Sequence, residues 1–87
     1  MRQRLAITGA SGQLGRLTSE LVLARHAPRD VILATRNPAA LAELAARGAD
    51  VRRADFDDPA SLRAALAGAD RLLLISATDL QRWRTAI

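Results

Sequence analysis

The feature that most constrains this chain is a segment with three glycines spaced three apart, Gly9-Ala10-Ser11-Gly12-Gln13-Leu14-Gly15. The apolar run 4–8 before it predicts a strand that ends at Gly9. After it, apolar residues recur at spacings of three and four and predict a helix over 13–26. The predicted buried stripe of that helix consists of Leu14, Leu17, Leu21 and Ala24. A strand that turns through glycines directly into a helix is typical of a βα unit, so a parallel sheet is expected.

The same alternation continues along the rest of the sequence. Apolar runs predict further strands over 31–34 and 71–76, and alternation around Val51 predicts one over 49–54. Asn37-Pro38 and Asp58-Pro59 each combine an N-cap residue with proline at the first helical position. The helices that begin there are expected to end at Gly48 and Gly68, because glycine readily adopts the left-handed conformation that closes a helix. Asp79 is the predicted cap of a last helix.

The predicted order of elements limits the topology. Connections between parallel strands are right-handed in nearly all proteins. Applied to the order βαβαβαβ, this rule predicts a Rossmann-type α/β fold with strand order 3-2-1-4 and flanking helices, truncated after strand 4. We interpret residues 1–87 as one domain. In such a sheet a ligand binds outside the carboxyl ends of the strands, where the order switches between strands 1 and 4.

The glycine segment has the spacing of a dinucleotide-binding turn, and we assign all of residues 9–15 to a cofactor site. Gly9 permits the tight turn, Gly12 leaves room for a pyrophosphate, and Gly15 lets the helix pack closely on the sheet. Amides at the helix start, with those of Ala10 and Ser11, would donate to the phosphate, and the Ser11 hydroxyl could reach a phosphate oxygen. The alternative is a glycine-rich turn without a ligand. A P-loop is excluded because no Gly-Lys-Ser/Thr follows.

The residues after the second strand indicate which dinucleotide fits. NAD-binding sites place an acidic residue about 20 residues past the glycines to bind the ribose 2′-hydroxyl. Here that position holds Thr35-Arg36. Because a guanidinium forms paired hydrogen bonds with phosphate, Arg36 could bind a 2′-phosphate, and NADP is expected rather than NAD. Arg16 is a second candidate. The alternative for either residue is a surface arginine without a ligand.

Two further loops follow predicted strands. Asp55 could accept a hydrogen bond from an adenine amino group, and Phe56 could lie against the ring. The alternative is a turn whose acidic residues cap the next helix, which is the role expected for Asp58. Ser76 and Ala77 end the fourth strand, where small side chains would let a cofactor pass along the strand ends.

Composition argues against several other classes of protein. The net charge is +4 and all thirteen basic residues are arginines, but they are scattered and accompany only two aromatic residues, so nucleic-acid binding is not expected. Without cysteine there is no disulfide or thiolate metal site, and no metal is expected. The longest apolar run, 72–75, is too short to span a membrane, and we read no signal peptide, so a cytoplasmic protein is expected. Tyrosine is absent, and no catalytic residue is assigned.

Segments 7–15, 34–38 and 53–58 together resemble the NmrA-like atypical short-chain dehydrogenase/reductases, and 72–76 fits as well. Within that group the chain is most similar to the NAD(P)H-dependent quinone oxidoreductase-like enzymes. The resemblance covers essentially the whole chain. It implies that the three glycines form the phosphate-binding turn, that Arg36 binds the 2′-phosphate, and that Ser76 lines the cofactor.

The resemblance also implies a function. In the full-length protein, hydride would pass from NADPH to a quinone-like or other carbonyl acceptor. The alternatives are a dinucleotide-sensing regulator without catalysis and a fragment that acts only by association. Family members are more than twice as long, and their later region builds the nicotinamide and substrate pocket, so the 87-residue chain alone is expected to be inactive. Strand 4 would be an exposed apolar edge, which predicts aggregation or self-association.

Overall fold

The computed structural model describes residues 3–75, in which helices lie on both faces of a four-stranded parallel sheet. In chain order the elements are β1 (Leu5–Ile7), α1 (Gln13–Leu23), β2 (Val31–Thr35), α2 (Ala42–Ala46), β3 (Asp50–Arg53), α3 (Pro59–Leu66) and β4 (Arg71–Leu73). Short 3-10 turns, Pro28–Asp30 and Pro38–Leu41, precede β2 and α2. The strand order is β3-β2-β1-β4, which confirms the predicted Rossmann-type α/β sheet.

Several predictions concern the C-terminal part of the chain. Ser76, Ala77 and the helix expected after Asp79 lie outside the described residues. Within residues 3–75, no helix has the length and apolar composition that crossing a bilayer requires.

The two central strands are covered on both faces. All five residues of β2 are buried, as its continuous apolar run predicted. On one face, α1 and α2 pack on the sheet through a cluster formed by Ile7, Ala10, Leu23, Val31, Leu33, Leu41, Leu44 and Ala49. On the other face, the cluster with α3 consists of Ala34, Ala54, Ala65 and the partly buried Leu62. Because hydrophobic stabilisation scales with buried apolar area, the first face contributes most of it.

The first helix buries a different stripe from the one predicted. The prediction was wrong for four exposed residues, Leu14, Leu17, Leu21 and Ala24. Instead, α1 faces the sheet with Gly15, Ser19 and Leu23, which are four residues apart. Two of these side chains are small, so the helix lies close to the sheet, and the buried Ser19 hydroxyl donates to the Gly15 carbonyl at 2.7 Å. Periodicity identified a real apolar stripe, but the described sheet packs against the small-residue stripe beside it.

The two predicted N-caps differ in their chemistry. The Asp58 carboxylate accepts a hydrogen bond from the amide of Ser61, which confirms that cap. Asn37 stands at the start of the 3-10 turn, but its side chain makes no capping hydrogen bond. Asn37 is nevertheless at the N-cap position with proline directly after it, as predicted, and its backbone carbonyl accepts from the amide of Ala40 at 3.0 Å. Gly48, which follows α2, has a φ of +106°, as predicted for the residue that closes this helix.

A charged cluster ties together the starts of β1 and β3. Arg52 and Arg4 both donate to the Asp50 carboxylate, at 2.7 and 3.0 Å. The hydrogen bond from Arg52, and to a smaller extent that from Arg4, lowers the pKa of Asp50 against the opposing effect of burial. Arg52 also donates to the carbonyls of Ala65 and Ala67 at the end of α3, at 2.9 and 2.8 Å. This cluster anchors α3 to the sheet at the edge opposite the glycine segment.

Candidate functional site

The glycine segment borders a cleft of about 300 Å³ at the carboxyl ends of β1 and β2. The cleft is lined by Thr8, Gly9, Ser11, Gly12, Gln13, Leu14, Gly15, Ala34, Thr35, Arg36, Ala54, Phe56, Leu62 and Ile75. These residues are distant in sequence and meet because parallel strands end at one edge of the sheet. The site therefore lies where the topology predicts a ligand. Of the predicted site residues in the described part, Ala10, Asp55 and the second candidate Arg16 do not line the cleft.

The turn after β1 requires glycine at its first position. Gly9 has a φ of +61°, which side-chain-bearing residues rarely adopt. A Cβ there would also lie 2.6 Å from the carbonyl oxygen of Ile75. The neighbouring Thr8 holds that segment in place, because its hydroxyl donates to the Ile75 carbonyl at 3.1 Å and accepts from the Ile75 amide at 2.9 Å. The chain after β4 is thus packed directly against the glycine turn.

The other two glycines differ in what surrounds them. A Cβ on Gly15 would overlap the Gly9 carbonyl and lie 2.9 Å from the Cα of Ala10, so the first turn of α1 packs on bare backbone. A Cβ on Gly12 would meet only the Gly9 carbonyl oxygen, at 3.5 Å, an ordinary van der Waals distance. The protein itself therefore tolerates a side chain at Gly12. Because glycine has no side chain, the space on the cleft side of the turn stays open.

Not every backbone amide of the segment is available to a ligand. The amide of Ala10 donates to the Ala34 carbonyl at 3.1 Å, and that of Gly12 donates to the Gly9 carbonyl at 3.2 Å. The prediction that Ala10 offers a donor was therefore wrong, because its amide joins the turn to β2. The amides of Gln13 and Leu14, in the first turn of α1, have no acceptor within residues 3–75. First-turn amides are the helix donors that anions commonly bind.

A hydrogen bond that the sequence analysis missed joins the glycine segment to β2. The buried Thr35 hydroxyl donates to the Ser11 hydroxyl oxygen at 2.7 Å. It accepts from the amide of Asn37 at 3.1 Å. The available sequence signal was a polar residue at the end of a strand that is buried on both faces, where a hydroxyl needs a partner.

The two candidate arginines have different surroundings. Arg36 is exposed, lines the cleft, and has no ion pair with any described residue. Arg16 instead donates to the Glu43 carboxylate at 2.7 Å and lies 3.8 Å from Glu20, which also pairs with Arg47. Arg16 therefore ties α1 to α2, in agreement with the alternative of a surface arginine. Of the two, Arg36 is free to meet a ligand.

The loop after β3 also divides its residues between two roles. Phe56 lines the cleft and its side chain is partly exposed. The Asp55 carboxylate accepts a hydrogen bond from the amide of Asp57 at 2.9 Å, and its own amide donates to the Ser61 hydroxyl. Asp55 thus shapes the turn before α3, whereas Phe56 faces the space in which an aromatic ring could lie.

The donor set of the cleft fits an anionic group. The residues that line it, within the described part, include no carboxylate, and the first turn of α1 contains no acidic residue. Amides of the first turn, the Ser11 hydroxyl and Arg36 all present hydrogen-bond donors. Phosphate oxygens accept such donors, and the helix dipole favours negative charge at this end.

The sequence profile of a family described as NAD(P)H-binding matches residues 9–85. The chain belongs to this NAD(P)H-binding, NmrA-like family. The match begins at the first residue of the glycine turn and extends over most of the chain. The predicted family resemblance is thereby confirmed.

Two named reductases are similar to this chain in sequence and in fold. Quinone oxidoreductase 2 of Escherichia coli strain K12 is 43% identical over 76 residues, which are 87% of this chain and 27% of that protein. The structure of the E. coli NADPH-dependent quinone oxidoreductase complexed with NADPH has a TM-score of 0.83 and 42% identity, covering 90% of this chain and 28% of the other. Triphenylmethane reductase of Citrobacter sp., complexed with NADP(H), has a TM-score of 0.80 and 34% identity over 91% and 28%.

The coverage shows how much of each relative this chain represents. It spans little more than a quarter of their length. The family match, over residues 9–85, includes the glycine segment and strands β2, β3 and β4.

Proposed function

We propose that residues 1–87 form the N-terminal part of an NAD(P)-binding Rossmann domain of an NADPH-dependent oxidoreductase. The whole protein would reduce quinone-like or carbonyl acceptors by hydride transfer. The observation that carries the proposal is a cleft with several free donors and no carboxylate among its described lining residues. The names of the relatives, a quinone oxidoreductase and a triphenylmethane reductase, support a reductase. No catalytic residue is assigned within this chain.

The residues of the cleft have separate tasks in this proposal. The cofactor pyrophosphate would lie against Gly12, where the amides of Gln13 and Leu14 and the Ser11 hydroxyl donate to its oxygens. Phe56 would lie against the adenine ring. When bound, NADPH supplies the hydride for the reduction. The protein contributes orientation and charge complementarity.

Three other residues, Asp55, Ser76 and Ala77, were also predicted to contact the cofactor. Asp55 could accept from the adenine amino group only with an oxygen that its turn leaves free, since one oxygen already accepts from the amide of Asp57. Ser76 and Ala77 remain predicted cofactor contacts beyond the described residues. They directly follow Ile75, which lines the cleft.

Preference for NADP over NAD rests on Arg36. This residue lines the cleft after β2 and has no ion pair with a described residue, and no acid stands beside it to bind a ribose 2′-hydroxyl. Hydrogen bonds to charged groups contribute about 1.5–3 kcal/mol. Since about 1.4 kcal/mol corresponds to a tenfold change in Kd, NADPH should bind at least about tenfold more tightly than NADH.

The test is a titration of the 87-residue chain with NADPH and with NADH, followed by thermal melting. Arg36→Ala should raise the Kd for NADPH about tenfold or more and leave that for NADH nearly unchanged. Arg63→Ala is the matched control, because Arg63 is exposed on α3 outside the cleft and its loss changes the net charge equally. Ligand at about 100 times its Kd should add roughly 2.7 kcal/mol to the free energy of unfolding.

The possible results separate the proposals. Equal weakening by both substitutions would mean that Arg36 acts only through net charge. No stabilisation by either dinucleotide, in a chain that melts cooperatively, would overturn cofactor binding by this chain. Binding of NADP and NADPH with equal affinity, without quinone-dependent NADPH oxidation by a protein of the relatives' length, would favour a dinucleotide-sensing regulator.

We also propose that the chain associates with itself through β4. Leu72, Leu73 and Leu74 are 48%, 40% and 63% exposed, and within residues 3–75 β4 pairs only with β1. An apolar strand edge with unpaired amides and carbonyls is a template for association. Sedimentation should show dimers or larger species that Leu74→Lys reduces. A monodisperse wild-type monomer would refute this proposal.

A further inference from the structure

The hydroxyl of Thr35 connects two loops that border the cleft. Thr35 ends β2 and is only 2% exposed. On one side it contacts the Ser11 hydroxyl in the glycine segment, at 2.7 Å. On the other it contacts the amide of Asn37, the residue after Arg36, at 3.1 Å. One buried hydroxyl thus joins the glycine turn to the loop that carries Arg36, the residue proposed to bind a 2′-phosphate.

The direction of these hydrogen bonds follows from the donors and acceptors within reach of the Thr35 hydroxyl. A backbone N–H can only donate, so the Thr35 oxygen accepts from Asn37. Within residues 3–75 the proton of this buried hydroxyl has no acceptor other than the Ser11 oxygen, at 2.7 Å, so Thr35 donates to Ser11. Ser11 is exposed and lines the cleft, so its own proton is available to an acceptor there. Such chains of hydrogen bonds polarise one another in the same direction, which strengthens the last donor.

We propose that Thr35 is a positioning residue for the cofactor: the relay from the Asn37 amide through the Thr35 hydroxyl holds Ser11 as a donor to a phosphate oxygen. This inference rests on the proposed dinucleotide binding and deepens it. The relay makes the site favour an acceptor such as a phosphate oxygen at Ser11. It also links the position of the glycine turn to that of the Arg36 loop.

The test compares four variants by titration with NADPH, NADH and inorganic pyrophosphate, and thermal melting verifies that each is folded. Thr35→Val keeps the β-branched shape and removes the hydroxyl. It should raise the Kd for NADPH about tenfold, as should Ser11→Ala, because each removes the oriented donor to a charged oxygen. Thr35→Ser retains the hydroxyl and should restore affinity to within about threefold of wild type. If Thr35→Val does not fold, Thr35→Cys, whose thiol is a weak donor, takes its place.

The double variant distinguishes positioning from a general structural effect. If Thr35 acts through Ser11, Thr35→Val should not weaken NADPH binding further in the Ser11→Ala background. Multiplied losses in the double variant would overturn the proposal, as would unchanged binding by Thr35→Val. Failure of Thr35→Ser to restore NADPH affinity would also overturn the proposal.

The three probes distinguish which phosphate group of the cofactor Ser11 contacts. They also distinguish failure of the Thr35 relay from failure of the proposed function. Equal losses for NADPH and NADH would place the pyrophosphate at Ser11, and a loss for NADPH alone would place the 2′-phosphate there. Pyrophosphate binding that Thr35→Val weakens, in a chain that binds neither dinucleotide, would support the relay while overturning the proposed function. Absence of binding by all three probes would overturn both.

Discussion

Replacing Gly12 and Gly15 by alanine, one at a time, separates the two tasks of the glycine segment. Both residues belong to the same turn, and the substitutions add the same methyl group. The structure places one methyl group against backbone and the other on the open side of the turn. We therefore expect Gly15→Ala to reduce stability and Gly12→Ala to reduce ligand affinity.

The cost of Gly15→Ala comes from contacts with atoms that cannot move aside independently. The added Cβ would overlap the Gly9 carbonyl, with its carbonyl carbon at 2.7 Å and the Cα of Ala10 at 2.9 Å. Overpacking of this kind costs about 1–3 kcal/mol or more. The better helix propensity of alanine returns about 1 kcal/mol at most. Because the overlap with backbone puts the cost at the upper end of that range, the net loss is roughly 2 kcal/mol, which is large for a small domain with a total stability of roughly 5 kcal/mol.

The cost of Gly12→Ala to the fold should be small. Gly12 has φ −71° and ψ 172°, a conformation that alanine adopts without strain, and its Cβ would meet only one atom, at 3.5 Å. Reduced entropy of the unfolded chain would stabilise the variant by about 0.4–1 kcal/mol. Alanine is a poorer N-cap than glycine, which offsets much of that gain. We expect a free energy of unfolding within about 1 kcal/mol of the wild-type value.

Urea denaturation and NADPH titration of the same three preparations would test the argument. Gly15→Ala should shift the urea midpoint downward, whereas Gly12→Ala should keep that midpoint and bind NADPH at least about tenfold more weakly, a change of about 1.4 kcal/mol. Wild-type affinity in Gly12→Ala would refute the inference that a ligand lies against this residue. Unchanged stability in Gly15→Ala would refute the close packing of α1 on the turn.

Three further predictions concern parts of the fold outside the cleft. The pKa of Asp50 is lowered in the folded state, so its stabilising contribution is present above its unfolded pKa of about 3.9 and is lost as pH falls through the folded value. Asp50→Asn removes this titration. Below about pH 4 the melting temperature of the variant should therefore fall less steeply with pH than that of the wild type. Asp58→Ala removes the cap of α3 and should cost about 0.5–1 kcal/mol in urea denaturation, with an unchanged value contradicting the cap. Leu17→Gln, on the exposed stripe, should change the free energy of unfolding by less than about 0.5 kcal/mol, whereas a loss near 2 kcal/mol would show that this side chain is buried.

The fold could be predicted because its main signals are local. The buried run of β2, the proline after each cap position, and the glycine after α2 act within a few residues, and the handedness rule converts their order into a topology. The stripe of α1 could not be assigned in the same way. Hydrophobic periodicity reports that a face is apolar, but not which element covers it, and the close approach of α1 depends on Gly15 and Ser19 rather than on leucines.

The site was predicted less completely, because its decisive contacts join residues far apart in sequence. Nothing local to Arg16 indicates that Glu43 will pair with it, and nothing local to Ser11 indicates that the Thr35 hydroxyl will donate to it. The loss of the Ala10 donor has a similar cause, since its acceptor lies on β2. Glycine spacing predicted where the cleft lies. The distribution of free and occupied donors required the packed strands.

The two stripes of α1 have different contacts, and only one of them fixes the position of the glycine turn. The small stripe of Gly15 and Ser19 fixes the start of the helix against the Gly9 turn, so the positions of the first-turn amides depend on backbone packing. The leucine stripe faces away from the described sheet, apart from Leu14, which lines the cleft. Whatever contacts Leu17 and Leu21 can therefore change without moving the phosphate-binding donors. Substitutions at those two leucines should leave NADPH affinity unchanged, whereas substitutions on the small stripe should reduce the free energy of unfolding.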